Sequence, residues 1–204
     1  VQATSGRPGP VVLILPSDFM GQEAVLSPQR TVSLGHFPLD RLVPPRERIR
    51  EAAAALAAAK RPLIVAGGGV HLSDASAEVV TLAELGAIPV ATTNMGKGTI
   101  DERAPLSLGV FGNCMGHGAR GEHLRSFASE ADVVLLIGNR TNANGTASWT
   151  LFSPQTRFIH IDVDSVEIGR NYEALRLAGD ARATLAALLE ELSEKDFPDR
   201  AASF

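Results

Sequence analysis

Apolar residues along this chain fall into two alternating patterns, short unbroken runs and stripes at helical spacing. Leu63 to Ala66, Ile88 to Thr93, Asp132-Val-Val-Leu-Leu-Ile-Gly138 and Phe158-Ile-His-Ile-Asp162 are runs, each typical of a strand covered on both faces. Before the first run, from Arg46, the apolar residues Ile49, Ala52, Ala53 and Leu56 recur at helical spacing in an Ala-rich stretch. Lys60 and Arg61 then sit where the helix dipole favours cations, and Pro62 is expected to end that helix. Ser73 reads as the N-cap of a second helix that buries Val79, Leu82 and Ala83 and stops at Gly86. A helical stretch around Glu122 to Ala128 precedes the third run. After Leu175-Arg-Leu-Ala178, Asp180 can cap a last helix with Leu185, Leu188, Leu189 and Leu192 on one stripe. Strand–helix alternation of this kind predicts an α/β fold, a Rossmann-like parallel sheet of about six strands with helices on both faces.

The first 45 residues follow neither pattern. Val11, Val12, Leu13, Ile14 and Leu15, between Pro10 and Pro16, read as a short buried strand with nothing nearby to pair with, the remnant of another sheet. Residues 19–45, with Pro28, Pro38, Pro44 and Pro45 and little periodicity, read as an interdomain linker. The compact domain is therefore expected over 46–194, with 195–204 as a tail or the start of another linker. An opening Val1 shows neither a native start nor a secretory signal, and an excised internal piece is the simplest explanation.

Composition narrows the classes of function. Over 204 residues, 45% hydrophobic and 21% charged, a net charge of −4 is spread over mixed signs without a Lys/Arg cluster, which argues against a nucleic-acid partner. No apolar stretch reaches the roughly 20 residues that span a bilayer, so no membrane partner is expected. Cys114 is the single cysteine and has no internal bridging partner; a cytoplasmic, reduced setting fits best.

In parallel sheets ligands bind beyond the carboxyl ends of the strands, so candidate chemistry is sought there. Gly67, Gly68 and Gly69 after the first strand let backbone approach a phosphate or a ring, or only make a tight turn. Thr92, Thr93, Asn94 and Met95 offer polar groups and one soft apolar contact, or ordinary capping of a strand end. After Gly138, Arg140 suits a pyrophosphate through charge-assisted bonds, or is a solvated surface arginine. Asp162 and Asp164 suit ribose hydroxyls, and Asp164 also suits a helix N-cap. Gly116 to Gly121 spells the letters of a dinucleotide fingerprint but does not join the first strand to its helix; it reads as a loop, in which His117 faces a ligand or is structural. No metal-ligand spacing, P-loop or nucleophile elbow is present, leaving no catalytic or metal residue to name.

IPVATTNMGKGTIDERAPLSLG at 88–109 resembles the central domain of thiamine-diphosphate-dependent enzymes of the acetolactate synthase type. AGGG at 66–69, GHG at 116–118, HIDVD at 160–164, EIGRN at 167–171 and GD at 179–180 follow in that family's order, so the resemblance covers roughly Arg61 to Leu192. Residues 1–18, ending in Pro16, Ser17 and Asp18, resemble the last strand of the family's pyrimidine-binding domain. The resemblance implies a domain that holds FAD or an ADP-like nucleotide, structurally rather than in redox chemistry, or a structural spacer that binds nothing. Carried over by motif, the candidate cofactor-binding residues are Gly67, Gly68, Gly69, Thr93, Asn94, Met95, His117, Gly138, Arg140, Asp162, Asp164 and Asp180. One departure weakens the FAD reading: the aromatic, two aspartates and second arginine that usually follow Gly-x-Arg are replaced by Thr141, Asn142, Ala143 and Asn144. The resemblance also implies a parent transferase or lyase, a homodimer or homotetramer, with thiamine diphosphate and Mg²⁺ held by its N- and C-terminal domains. This piece alone is accordingly expected neither to bind thiamine diphosphate nor to catalyse carboligation.

Overall fold

The structure, a computed structural model, describes residues 3–23, 25, 37–198 and 200. Residues 24 and 26–36 of the expected linker, and 199 and 201–204 of the expected tail, lie outside them. The chain divides into two units, Val1–Asp40 and Arg41–Phe204. In the first unit the run Val11–Leu15 joins no sheet among the described residues. Its side chains are exposed, Ile14 by 83%. Burial of such a run requires a ladder partner and a covering layer.

The second unit is a six-stranded parallel sheet in the order β3-β2-β1-β4-β5-β6. Its elements in chain order are α1 (Arg46–Ala58), β1 (Pro62–Ala66), α2 (Gly68–Ser73), α3 (Ser76–Gly86), β2 (Val90–Thr92), β3 (Ser107–Val110), α4 (Arg125–Ser129), β4 (Val133–Ile137), β5 (Arg157–Asp162), β6 (Ala174–Ala178) and α5 (Ala181–Leu192). This is the doubly wound order, in which the direction of winding reverses between the first and fourth strands.

Period-two alternation divides the strands between two cores. Ile64, Val133, Leu135, Ile137, Ile159 and Ile161 face α1, α3 and α5, whereas Leu63, Val65, Val134, Leu136 and Phe158 face a layer built from α4, 3₁₀ turns and loops. The second layer is held by aromatic rings. Phe152 lies 5.3 Å from Phe111 and 5.1 Å from Phe158, and Tyr172 stacks on Phe158 at 4.6 Å.

The stripe Ile49, Ala52, Ala53 and Leu56 is buried as its spacing predicts, but α1 ends at Ala58. Pro62 does not stop it; Pro62 opens β1, and the intervening turn is fixed by Asp132, whose carboxylate accepts from the Lys60 and Arg61 amides at 2.7 and 3.0 Å. Ser73 caps no helix. It ends α2, a helix that the three glycines conceal in the sequence, and its hydroxyl donates to Asp180 at 2.6 Å.

Both flanks of the second unit are anchored by arginines. Arg41 donates to Asp180 at 2.8 Å and to the Ser73 carbonyl at 2.7 Å, while the Leu42 carbonyl accepts from the Asp180 amide at 2.8 Å. Arg200, 2% exposed, donates to the carbonyls of Leu56, Ala59 and Gly86, where the negative ends of α1 and α3 converge.

Candidate functional site at the carboxyl edge of the sheet

The glycines after β1 and β4 meet each other. Gly67 donates its amide to the Ile137 carbonyl at 2.8 Å and Gly69 to the Gly138 carbonyl at 3.1 Å. A Cβ on Gly67 would lie 2.2 Å from the Gly138 oxygen, one on Gly69 2.6 Å from the Gly138 Cα, and one on Gly138 2.5 Å from the Gly69 Cα. Gly138 also has φ +54°, a left-handed conformation that favours glycine. The β2 loop joins this contact through Gly96, where a Cβ would sit 2.1 Å from the Ala66 oxygen. Three loops thus interlock by backbone at the winding reversal. Gly67 leads directly into α2, as its N-cap.

The polar candidates lie at or after the carboxyl ends of the strands. Thr93 donates its amide to the Ala66 carbonyl at 2.9 Å and its hydroxyl accepts from the Gly96 amide at 3.2 Å, leaving Asn94 and Met95 exposed on the following turn. Arg140 is exposed just past β4, and no described residue makes a polar contact with its guanidinium. His117 is exposed too, its Nδ1 2.8 Å from Glu122, which also accepts from the Gly118 amide at 2.9 Å. These two bonds, the amide first, hold the Glu122 carboxyl below its ordinary range. Asp162 accepts from the Asp164 amide and Asp164 from the Val166 amide, at 2.9 and 3.0 Å, so both organise turns; the helix N-cap expected of Asp164 is not made, because no helix follows β5. Asp180 is buried. It takes bonds from Arg41, Ser73 and the Ala183 amide, the last as the cap of α5.

Residues that the sequence did not single out complete the edge. Thr141 has φ +50° and its amide donates to the Asn139 side chain at 2.8 Å. Its carbonyl accepts from the Trp149 indole at 2.9 Å and from the Asn171 side chain at 3.0 Å. Beneath the edge, on β5, His160 is 1% exposed and its Nε2 has no hydrogen-bond partner among the described residues. Burial lowers its pKa to about 4, with a smaller lowering from Arg176; a backbone hydrogen bond with Asn139 and the charge of Glu167 oppose them. Alternation along β5 was the available signal for His160, since Ile159 and Ile161 fix the opposite face. Among the described residues no three His, Cys, Asp or Glu side chains gather as a metal site, and no helix is long and apolar enough to cross a membrane.

Residues 49–188 match the model of the thiamine pyrophosphate enzyme central domain. The chain belongs to that family. All the candidate residues of this central domain lie inside the matched span. Over 203 residues it is 39% identical to a probable acetolactate synthase large subunit of Methanocaldococcus jannaschii, covering 97% of this chain and 33% of the relative. It is 40% identical to the corresponding protein of Methanococcus aeolicus over 195 residues, 93% of this chain and 31% of that one. It is 35% identical to an acetolactate synthase of Arthrospira platensis over 194 residues, 92% of this chain and 32% of the relative. The chain therefore spans about a third of the length of the curated relatives it matches.

Proposed function

We propose that this central domain serves an acetolactate-synthase-like, thiamine-diphosphate-dependent enzyme by holding a nucleotide, FAD or an ADP-like molecule, along the carboxyl edge of its sheet. Arg140 carries the reading: an exposed guanidinium free of polar contact with the described residues stands beside the winding reversal, where doubly wound sheets take their ligands. Asn94, Met95 and His117, all exposed on loops of the same unit, are further side chains available to a ligand. Asp162 and Asp164 shape the β5 turn, and Asp180 contributes through the fold. The nucleotide is structural, and the carboligation or decarboxylation of a 2-oxoacid belongs to thiamine diphosphate and Mg²⁺ held by neighbouring domains of a homodimer or homotetramer. Residues 1–18 are the closing strand of a preceding pyrimidine-binding domain, a role suited to an apolar run with no ladder partner among the described residues.

A second reading, a spacer that binds nothing, draws on the glycines. Intramolecular contact already accounts for Gly67, Gly69 and Gly138, so they need no ligand to explain them. Calorimetric titration of the chain with FAD and with ADP separates the two. The nucleotide reading expects saturable heat that Arg140→Ala weakens about tenfold, the loss of one charge-assisted contact to phosphate. Absence of heat with both ligands would leave the spacer.

A further inference from the structure

Trp149 is held as though its ring had to be presented. Its indole N–H donates to the Thr141 carbonyl at 2.9 Å and its amide to the Thr146 hydroxyl at 3.1 Å, which limits the ring to one orientation. The backbone under it is costly. Ala147, Ser148 and Trp149 take φ of +46°, +55° and +61° in succession, and Thr141, a β-branched residue, takes +50°. Non-glycine residues keep such conformations only where their surroundings impose them, and they concentrate at ligand clamps. Asn171 supplies part of that constraint from beyond β5, donating to the Thr141 carbonyl and hydroxyl at 3.0 and 2.9 Å.

Core packing holds Ala147 against the aromatic layer but does not account for the indole of Trp149. Trp149 belongs to neither apolar cluster and is 48% exposed, whereas its neighbour Leu151 is fully buried. A half-exposed, orientation-locked indole offers a π face at low entropic cost. It is anchored on the residue that follows Arg140, so the ring is tied to the segment at the end of β4 that carries the proposed phosphate contact.

Resting on the nucleotide-holding reading above, we propose that Trp149 is the stacking platform for the planar heteroaromatic ring of the bound nucleotide, with Arg140 as the adjoining phosphate contact. Adenine and isoalloxazine share the chemistry that such a platform recognises. ADP, which carries only the first ring, and FMN, which carries only the second, tell them apart.

Trp149 is the only tryptophan of the chain, so tryptophan emission reports on this position alone. Calorimetry and acrylamide quenching are run on the same samples with ADP and with FMN. The nucleotide whose ring stacks here shields Trp149 from acrylamide in proportion to saturation. Trp149→Ala then weakens that nucleotide by roughly tenfold, as loss of a stacked base does, while Trp149→Phe stays within about threefold because a ring remains. Shielding is read on the unaltered chain and does not depend on either variant folding. Saturable heat with unchanged quenching would overturn the platform and leave the nucleotide-holding reading standing. Absence of heat with ADP, FMN and FAD would remove both.

Discussion

His160 is a buried imidazole. Alternation along β5 turns it toward the aromatic layer with Phe158, and burial, the largest influence, brings its pKa down to about 4. In the unfolded chain an imidazole titrates near pH ~6.5. Between about pH 6.5 and pH 4 the unfolded chain therefore binds a proton that the folded domain refuses, and stability falls as pH drops through that window. The full loss is about 3 kcal/mol, reached near pH ~4. His160→Leu removes this dependence, and urea denaturation of both proteins across the window should give a steeper pH slope for the unaltered chain. Equal slopes would refute the assignment. Asp101, held low by its bonds from Arg103, and Glu191, held low chiefly by Arg46, also lose stability on acidification. They do so at lower pH, and both are present in the variant.

Among the elements, α5 depends most on one side chain. Asp180 caps its first turn and at the same time holds the Ser73 hydroxyl and the Arg41 guanidinium, joining α5 to the end of α2 and to the incoming chain. Asp180→Ala removes a cap and leaves Arg41 without its carboxylate, a loss of about 3 kcal/mol, to be read as a shift in the urea midpoint at unchanged slope. Asp180→Asn, which keeps the cap acceptor, should recover about 1 kcal/mol of it. The cap was legible in the sequence because a carboxylate precedes the leucine stripe of α5. The strands were legible for a similar reason, as runs such as Val133 to Ile137 have no polar face to show. Ser73 was misread since its partner lies 107 residues away, and long-range partners leave no local pattern. The layer containing α4 is the least legible element, because 3₁₀ turns and loops packed by Phe111, Phe152 and Tyr172 carry no period.

At the scale of the whole domain, the carboxyl edge was legible in outline, since the alternation of strand and helix fixes which edge of the sheet carries the strand-end loops. Its detail was not. Gly67 and Gly138 look like an open cradle in the sequence and prove to touch each other, and Trp149 is presented by a run of left-handed residues that contains no glycine. Arg200 was equally hidden, because its partners are backbone carbonyls. It nevertheless ties residue 200 to the ends of α1 and α3. Arg200→Met keeps much of the bulk but leaves the carbonyls of Leu56, Ala59 and Gly86 without that donor, and a loss of about 3 kcal/mol is expected. Hydrogen exchange should then quicken first at the ends of α1 and α3; uniform quickening across the sheet would instead indicate global destabilisation.

The two arginines sit at opposite poles. Arg41 is tied to the start of α5, just past the end of β6, and Arg200 to the ends of α1 and α3, just before β1 and β2 begin. Tension transmitted through these two ties runs lengthwise along the strands, so the hydrogen bonds of the parallel ladder share the load in shear and are not peeled apart one at a time.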